Sequence, residues 1–413
     1  MILIQRSRKP DLGRWFGGRT SLSALLLKVS SENPSKTLAF PPDRPTLGVA
    51  MAECENKPDA SGGWTFRVLE RFPGVTLVHQ VTPDGTVWAS RNRWILRREG
   101  DRWTPVTRFP FRPPRDLFEV TRLSARASRA DKCNLFANSN GKILGIRDSV
   151  VYAVGLDGSM REILKIQGDS VLHRGICEDR QGWIYFGEYS RNSERAPVRI
   201  FRLSPDLQSA ETAYEFAPGT LRHVHAVMRD PFDPEALWTT VGDEEGECHF
   251  YRTDNRFRTL DRLGDGTQIW RAVGLLFTSD HVCWLTDSHI HQNHACRMRR
   301  SDGHLEIGPE VDTSTWFSTT TTDGLHVAFT TVEKGPAIHR DESSVLASED
   351  AFNWEEVASF KKDFWRPYSV FKYGIICCPS GPMRSDSLYL SGEGLVGLDG
   401  CSLRVSIERN ACG

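Results

Sequence analysis

Four carboxylates recur along the middle of the chain, each closing a short apolar segment: Glu188 in FGEYS, Asp243 in TVGDEE, Asp287 in LTDSH and Glu333 in TTVEK, 55, 44 and 46 positions apart. A second polar series precedes them, made of His173 with Arg174, Arg222 with His223 and His225, Trp270 with Arg271, and Thr319 to Thr322, and it continues in Trp365, Arg366 and Tyr368. General acid–base cleavage of a glycosidic bond needs two carboxylates, or an acid and a base of other kinds, on either side of one bond. A guanidinium fork is the side chain that meets an acidic sugar's carboxylate through two parallel bonds. The residues assigned to the chemistry are therefore His173, His223, His225, Glu188, Asp243 and Asp287. Those assigned to ligand binding are Arg174, Arg222, Trp270, Arg271, Glu333, Arg366 and Tyr368. Elimination beside a uronic carboxylate needs a base instead, and His173, His223 and His225 suit that step. The competing account is structural: His and Arg at successive strand starts could form a hydrogen-bonded collar around a wet channel, because each such group must be paired or stay solvated.

The segment DSHIHQNH adds His289, His291 and His294 behind Asp287. Three imidazoles and a carboxylate can hold a divalent metal, but this spacing matches no established ligand helix, so a hydrated loop is expected. No metal ligand is assigned and the cofactor is left open.

The elements that carry these residues repeat. Asp101, Asp157, Asp206, Asp254, Asp302, Asp350 and Asp399 are 56, 49, 48, 48, 48 and 49 positions apart, each in a short polar turn after an apolar segment. Seven further segments, from LVHQVTPDGTVWAS through LHRGICEDRQGWIYFG to PYSVFKYGIICC, read as strand, turn and strand. Four antiparallel strands per roughly 48 residues form a propeller blade, and seven blades close a ring with only short edges. The expected fold is all-β, a seven-bladed β-propeller over residues 58–413, with the end of each second strand on one rim. Either WTFRVLERF (64–72) or SLRVSIERN (402–410) could complete the last blade.

Ser348-Glu349-Asp350 with Trp354, and Ser204-Pro205-Asp206, resemble degenerate Asp boxes, whose full form is Ser-x-Asp-x-Gly-x-Thr-Trp. Over residues 59–413 the chain thus resembles a divergent member of the Asp-box, sialidase-like propellers. The resemblance implies that the Asp turns lie on the face away from the active site, with each Asp accepting backbone N–H bonds and Trp packing between blades. It also sets Tyr189, beside Glu188, against the sialidase tyrosine nucleophile, although the Arg-Ile-Pro start of the first arginine segment of that family is missing.

Composition narrows the partners. Lys+Arg at 52 against Asp+Glu at 53 removes the footprint of a nucleic-acid binder, and no stretch approaches the ~20 apolar residues of a membrane span. Ten scattered cysteines without a CxxC pair read as buried thiols in a reducing compartment, which suits a cytoplasmic location. Residues 1–57, basic at their start and rich in Pro, read as a disordered or targeting extension, with an organellar transit segment as the weaker alternative. The expected function is a glycoside hydrolase or polysaccharide lyase acting on an acidic or polyhydroxylated carbohydrate. The alternative is a non-catalytic propeller that binds ligands or assembles proteins.

Overall fold

A computed structural model of the chain describes residues 63–364 and 370–410. The proposed extension at 1–57, Asp59, and the site candidates Trp365, Arg366 and Tyr368 lie outside the described residues.

Hydrophobic alternation and Gly-bearing turns produce four-stranded antiparallel units at 77–108, 134–165, 176–216, 224–266, 276–311 and 314–361. The seventh is built from Gly374–Cys377, Leu388–Glu393 and Cys401–Arg409, and its outer strand comes from the other end of the sequence, Trp64–Pro73. That strand runs antiparallel to Cys401–Arg409 from Trp64 opposite Arg409 to Pro73 opposite Cys401. The two candidate closing segments are therefore neighbours in one blade, and neither is surplus. The copy PYSVFKYGIICC holds only the innermost strand of that blade, since its second strand begins at Leu388.

The ring is closed by bonds from each blade to the next. Gln80 donates to the Ala137 carbonyl at 2.9 Å, Asn134 to Val171 at 3.1 Å, and the Val224 amide to Glu188 at 3.0 Å. His225 Nδ1 meets the Ala272 carbonyl at 2.9 Å, and the Thr315 amide donates to the Thr286 carbonyl at 3.2 Å. Thr331 pairs with Ile375, and Val81 donates to Ser380 at 2.9 Å, which returns the chain to the first blade.

The core lies between blades, and this explains the two kinds of strand sequence. Ile143–Arg147 and Leu237–Val241 are buried at every position because a neighbouring blade covers each face. Outer strands such as Met160–Lys165 and Ala210–Phe216 keep exposed polar positions. Among the described residues no helix is long and apolar enough to cross a membrane, and eight cysteines are free thiols.

Six of the seven periodic Asp residues fall in turns between third and fourth strands. Asp350 accepts the amides of Phe352 at 2.9 Å and Asn353 at 2.8 Å and the Ser348 hydroxyl at 2.9 Å. Partial burial opposes its charge, yet these bonds hold its carboxyl down at about 2. Asp350→Ala is expected to cost about 1–2 kcal/mol in urea unfolding, the loss of two or three net hydrogen bonds; a value near zero would mean that water replaces them. Asp399 departs from the series. It lies between the second and third strands of the last blade, on the opposite rim, because the N-terminal strand has taken the fourth place.

Candidate functional site

Three successive blades bring charged groups together where their second strands end. Leu237–Val241 runs into Gly242, which has φ +89° and where a Cβ would stand 2.1 Å from the Glu247 carbonyl oxygen. Only glycine permits that turn, and the turn presents Asp243 inward. His223 and His225 flank Val224 at the start of the innermost strand of the same blade, and residues two apart on a strand share a face. Their Nε2 atoms are 3.1 Å apart. His225 Nε2 lies 3.2 Å from Asp243 Oδ1 and His223 Nε2 lies 3.4 Å from Oδ2. Arg222 Nη1 holds Oδ2 at 2.9 Å.

The next blade contributes Arg271, whose guanidinium lies 3.4 Å from Asp243 Oδ1 and 3.5 Å from Asp287 Oδ2, with His289 Nδ1 at 3.2 Å from Nη1. Asp287 follows the strand His281–Leu285, and its Oδ1 is buried without a hydrogen-bond partner. Glu333, after His326–Val332 in the sixth blade, accepts the Ser314 hydroxyl at 2.7 Å.

These neighbours divide the carboxylates by charge state. Burial opposes ionisation of Asp243, but the adjoining His223 and His225 imidazoles hold it far below the usual carboxylate range. Burial pushes Asp287 up to about 7, against the pull of Arg271. Glu333 is also raised, chiefly by burial. A neutral carboxyl beside an ionised one is the arrangement that separates acid and base roles. A cavity of about 630 Å³ adjoins the group and is lined by Glu333, Lys334, His339, Arg340, Asp341 and Phe364.

Of the residues singled out in the sequence, His223, His225, Asp243, Arg222, Arg271, Asp287 and Glu333 converge. Four others stand elsewhere. Glu188 turns its carboxylate back onto the amides of Gln167 at 2.8 Å and Arg199 at 3.0 Å, so it braces backbone. Trp270 packs in the core, stacked on Trp284 at 5.2 Å. His173 Nε2 reaches the Cys378 carbonyl at 2.8 Å, and Arg174 reaches the Cys378 sulfur at 3.4 Å. The third and seventh blades are not neighbours in the ring, so both bonds cross the channel and plug it. Burial and the charge of Arg174 lower the His173 imidazole to about 3, which leaves it a neutral donor and a poor base. Beyond the plug lies a separate cavity of about 530 Å³, lined by His173, Arg174, Met228, Phe277, Thr320 and Ser380 among others.

Tyr189 does join the group, with its ring 4.3 Å from that of His223. Burial and then Asp243 and Asp287 push its phenol upward, the opposite of an activated nucleophile. Gln268 went unnoticed in the sequence. It is buried, donates to the Asp243 carbonyl at 3.1 Å and accepts from Ser288 at 2.9 Å; a polar side chain one turn before Arg271 was the available signal. The residues placed closely enough to hold a metal lie outside the DSHIHQNH segment. Among the described residues, the group of His, Cys, Asp or Glu whose ligand atoms lie within 4.8 Å of one another is His223, His225 and Asp243, and His289, His291 and His294 form no such group.

No known sequence family matches the chain, and no curated protein does. Solved structures do. Virginiamycin B lyase from Staphylococcus aureus superposes with a TM-score of 0.52 at 16% identity, over 83% of this chain and 99% of that one. The likeness establishes the fold. A gluconolactonase from Xanthomonas campestris (TM-score 0.38, 13% identity, 64% of this chain and 86% of that one) and a chain of a nidogen/laminin complex (0.40, 10%, 66% and 99%) are also similar. These similarities bear on the propeller fold alone. The Asp-box resemblance rests on the local turns at Asp350 and Asp206.

Proposed function

We propose that the chain is a carbohydrate-active propeller enzyme, of the Asp-box type in its turns, which cleaves an acidic or polyhydroxylated sugar by hydrolysis or elimination. The observation that carries this reading is the convergence of Arg222, Arg271, Asp243, Asp287 and Glu333 from three blades beside a 630 Å³ cavity that Glu333 itself lines. Ligand sites commonly occupy about 300–1,000 Å³, and a lining of Lys, His, Arg and Asp suits hydroxyl and carboxylate groups. In this reading Arg271 and Arg222 neutralise a sugar acid, and Asp287 or Glu333, each pushed upward by burial, supplies the proton to the leaving oxygen. Perturbed carboxyls of this kind gather at active sites more often than elsewhere.

The test is a panel of uronic- and sialic-acid glycans, followed at once by ultraviolet absorbance of an unsaturated product and by release of reducing ends. Absorbance marks elimination and reducing ends alone mark hydrolysis. Glu333→Gln is expected to lower kcat by about 10²- to 10⁴-fold, the usual worth of a positioned proton donor, with little change in folding. Silence of the wild-type chain across the panel would sink the enzymatic reading. The binding-platform alternative would then stand on an exposed apolar stretch between the first two blades, where Phe111, Leu117, Phe118, Val120 and Leu123 are 43–85% exposed.

A further inference from the structure

We propose that His223, His225 and Asp243 form a binding site for a single first-row divalent cation, held by the two imidazole Nε2 atoms and the carboxylate. The argument begins with the tautomers. His223 Nδ1 lies 2.8 Å from the Ser190 carbonyl and His225 Nδ1 lies 2.9 Å from the Ala272 carbonyl. A carbonyl can only accept, so each Nδ1 carries a hydrogen, and in the neutral ring each Nε2 is then a bare lone pair. Those two lone pairs face one another at 3.1 Å, and an Asp243 oxygen lies within 3.4 Å of each. Three acceptors pointed at one spot repel unless something positive sits between them. A ring hydrogen fixed on a backbone carbonyl is also the usual outer contact of a metal-bound histidine, because it sets the tautomer and the ring plane.

The charge around the spot permits this. Arg222 and Arg271 oppose a cation, and Asp243 and Glu244 offset them: Arg222 pairs with Asp243 and with Glu244 at 3.5 Å, and Arg271 with Asp243. Two imidazoles and one carboxylate suit Zn²⁺, Co²⁺, Fe²⁺ or Mn²⁺ better than Mg²⁺ or Ca²⁺, which prefer oxygen donors throughout. Three protein ligands leave positions open for water or for a hydroxyl or carboxylate oxygen of a ligand. The site stands on these contacts whether or not the chain turns over a sugar.

Purified full-length protein, stripped with chelator and dialysed against Zn²⁺ or Co²⁺, should retain one cation per chain. Asp243→Asn, which keeps shape and sits at the rim, should weaken retention by about 100-fold or more, since loss of an outer-shell partner alone costs about 10- to 100-fold. His225→Gln should do the same, while His291→Ala should not. His225 is buried and its replacement could unfold the chain, so X-ray absorption of the wild-type Co²⁺ form gives a second measure, and imidazole nitrogens should appear in its first shell. Retention of no cation by the wild-type chain would overturn the proposal and leave a shared proton between the two rings. Retention that survives Asp243→Asn but is lost with His291→Ala would overturn it equally, by moving the metal to the loop.

Discussion

Asp116→Ala is expected to destabilise the chain by about 3–5 kcal/mol, the cost of leaving one member of a buried ion pair without its partner. Asp116 sits in the turn Arg115–Phe118, between the first and second blades, and is buried. It accepts Arg147 Nη1 at 3.1 Å, a second bond from Arg147 Nη2, and the Arg112 amide at 2.7 Å. Arg147 is 1% exposed, and its remaining partners are the Ala130 carbonyl at 2.8 Å and Glu119 at 3.5 Å. Truncating the aspartate would leave the Arg147 charge between blades with only Glu119 opposite it. Glu162→Ala is the control. It breaks a half-exposed pair with Arg112 and is expected to change stability by less than about 1 kcal/mol.

The same site gives a pH dependence. Burial would raise the Asp116 pKa, but the hydrogen bonds from Arg147 and Arg112 bring it below its ordinary value. A carboxyl depressed in the folded state contributes stability above its unfolded pKa, about 4, and loses it as pH falls through the folded value. The gap between wild type and Asp116→Ala should therefore be full at neutral pH and shrink below about pH 4. Urea midpoints at both pH values measure it, and a neutral-pH difference under about 1 kcal/mol would mean that water reaches Arg147.

The second large effect is on ring closure. Phe66 and Phe72 lie on the strand Trp64–Pro73 and pack to different sides, Phe66 against Phe360 at 6.4 Å and Phe72 against Trp103 at 5.6 Å and Tyr389 at 6.2 Å. Each Phe→Ala change costs about 3–5 kcal/mol in a core, and sites with separate partners add. The double variant should lose about 6–10 kcal/mol, comparable with the whole stability of an ordinary domain. We expect it to lack a cooperative thermal transition and to bind a hydrophobic dye. A double variant that still melts cooperatively within a few degrees of wild type would show that the ring holds without its closing strand.

Much of this architecture was legible in the residues because a propeller is a repeat. A spacing of 48 between Asp206, Asp254, Asp302 and Asp350 can persist only if each blade spends the same number of residues on four strands. The ends of the second strands then fall on one rim, and Asp243, Asp287 and Glu333 are found there. Where the repeat breaks, the sequence misleads. Asp399 keeps the period while sitting in a different turn, because the strand Trp64–Pro73 from the other end of the sequence completes its blade. The salt-bridged insertion before the second blade was also invisible. There the short helix Arg122–Ser128 places buried Arg126 against Asp363 at 2.8 Å, a contact that no local pattern foretells.

Periodicity sets the height of a residue along the ring axis and the rim on which it stands, since both depend only on local strand length. The repeat does not set whether the side chain reaches the axis. Glu188 and Asp243 hold comparable places in successive blades, yet one closes on amides of its own blade and the connection before it while the other meets two histidines. His173 looked like a base and proved to be a strut to Cys378, 205 residues further along. The composition, the strand pattern and the rim belonged to the sequence by itself. The pairing of Arg271 with Asp243, the burial that raises Asp287 and the plug across the channel were decided only when seven blades met, because each depends on partners from blades that share no local sequence.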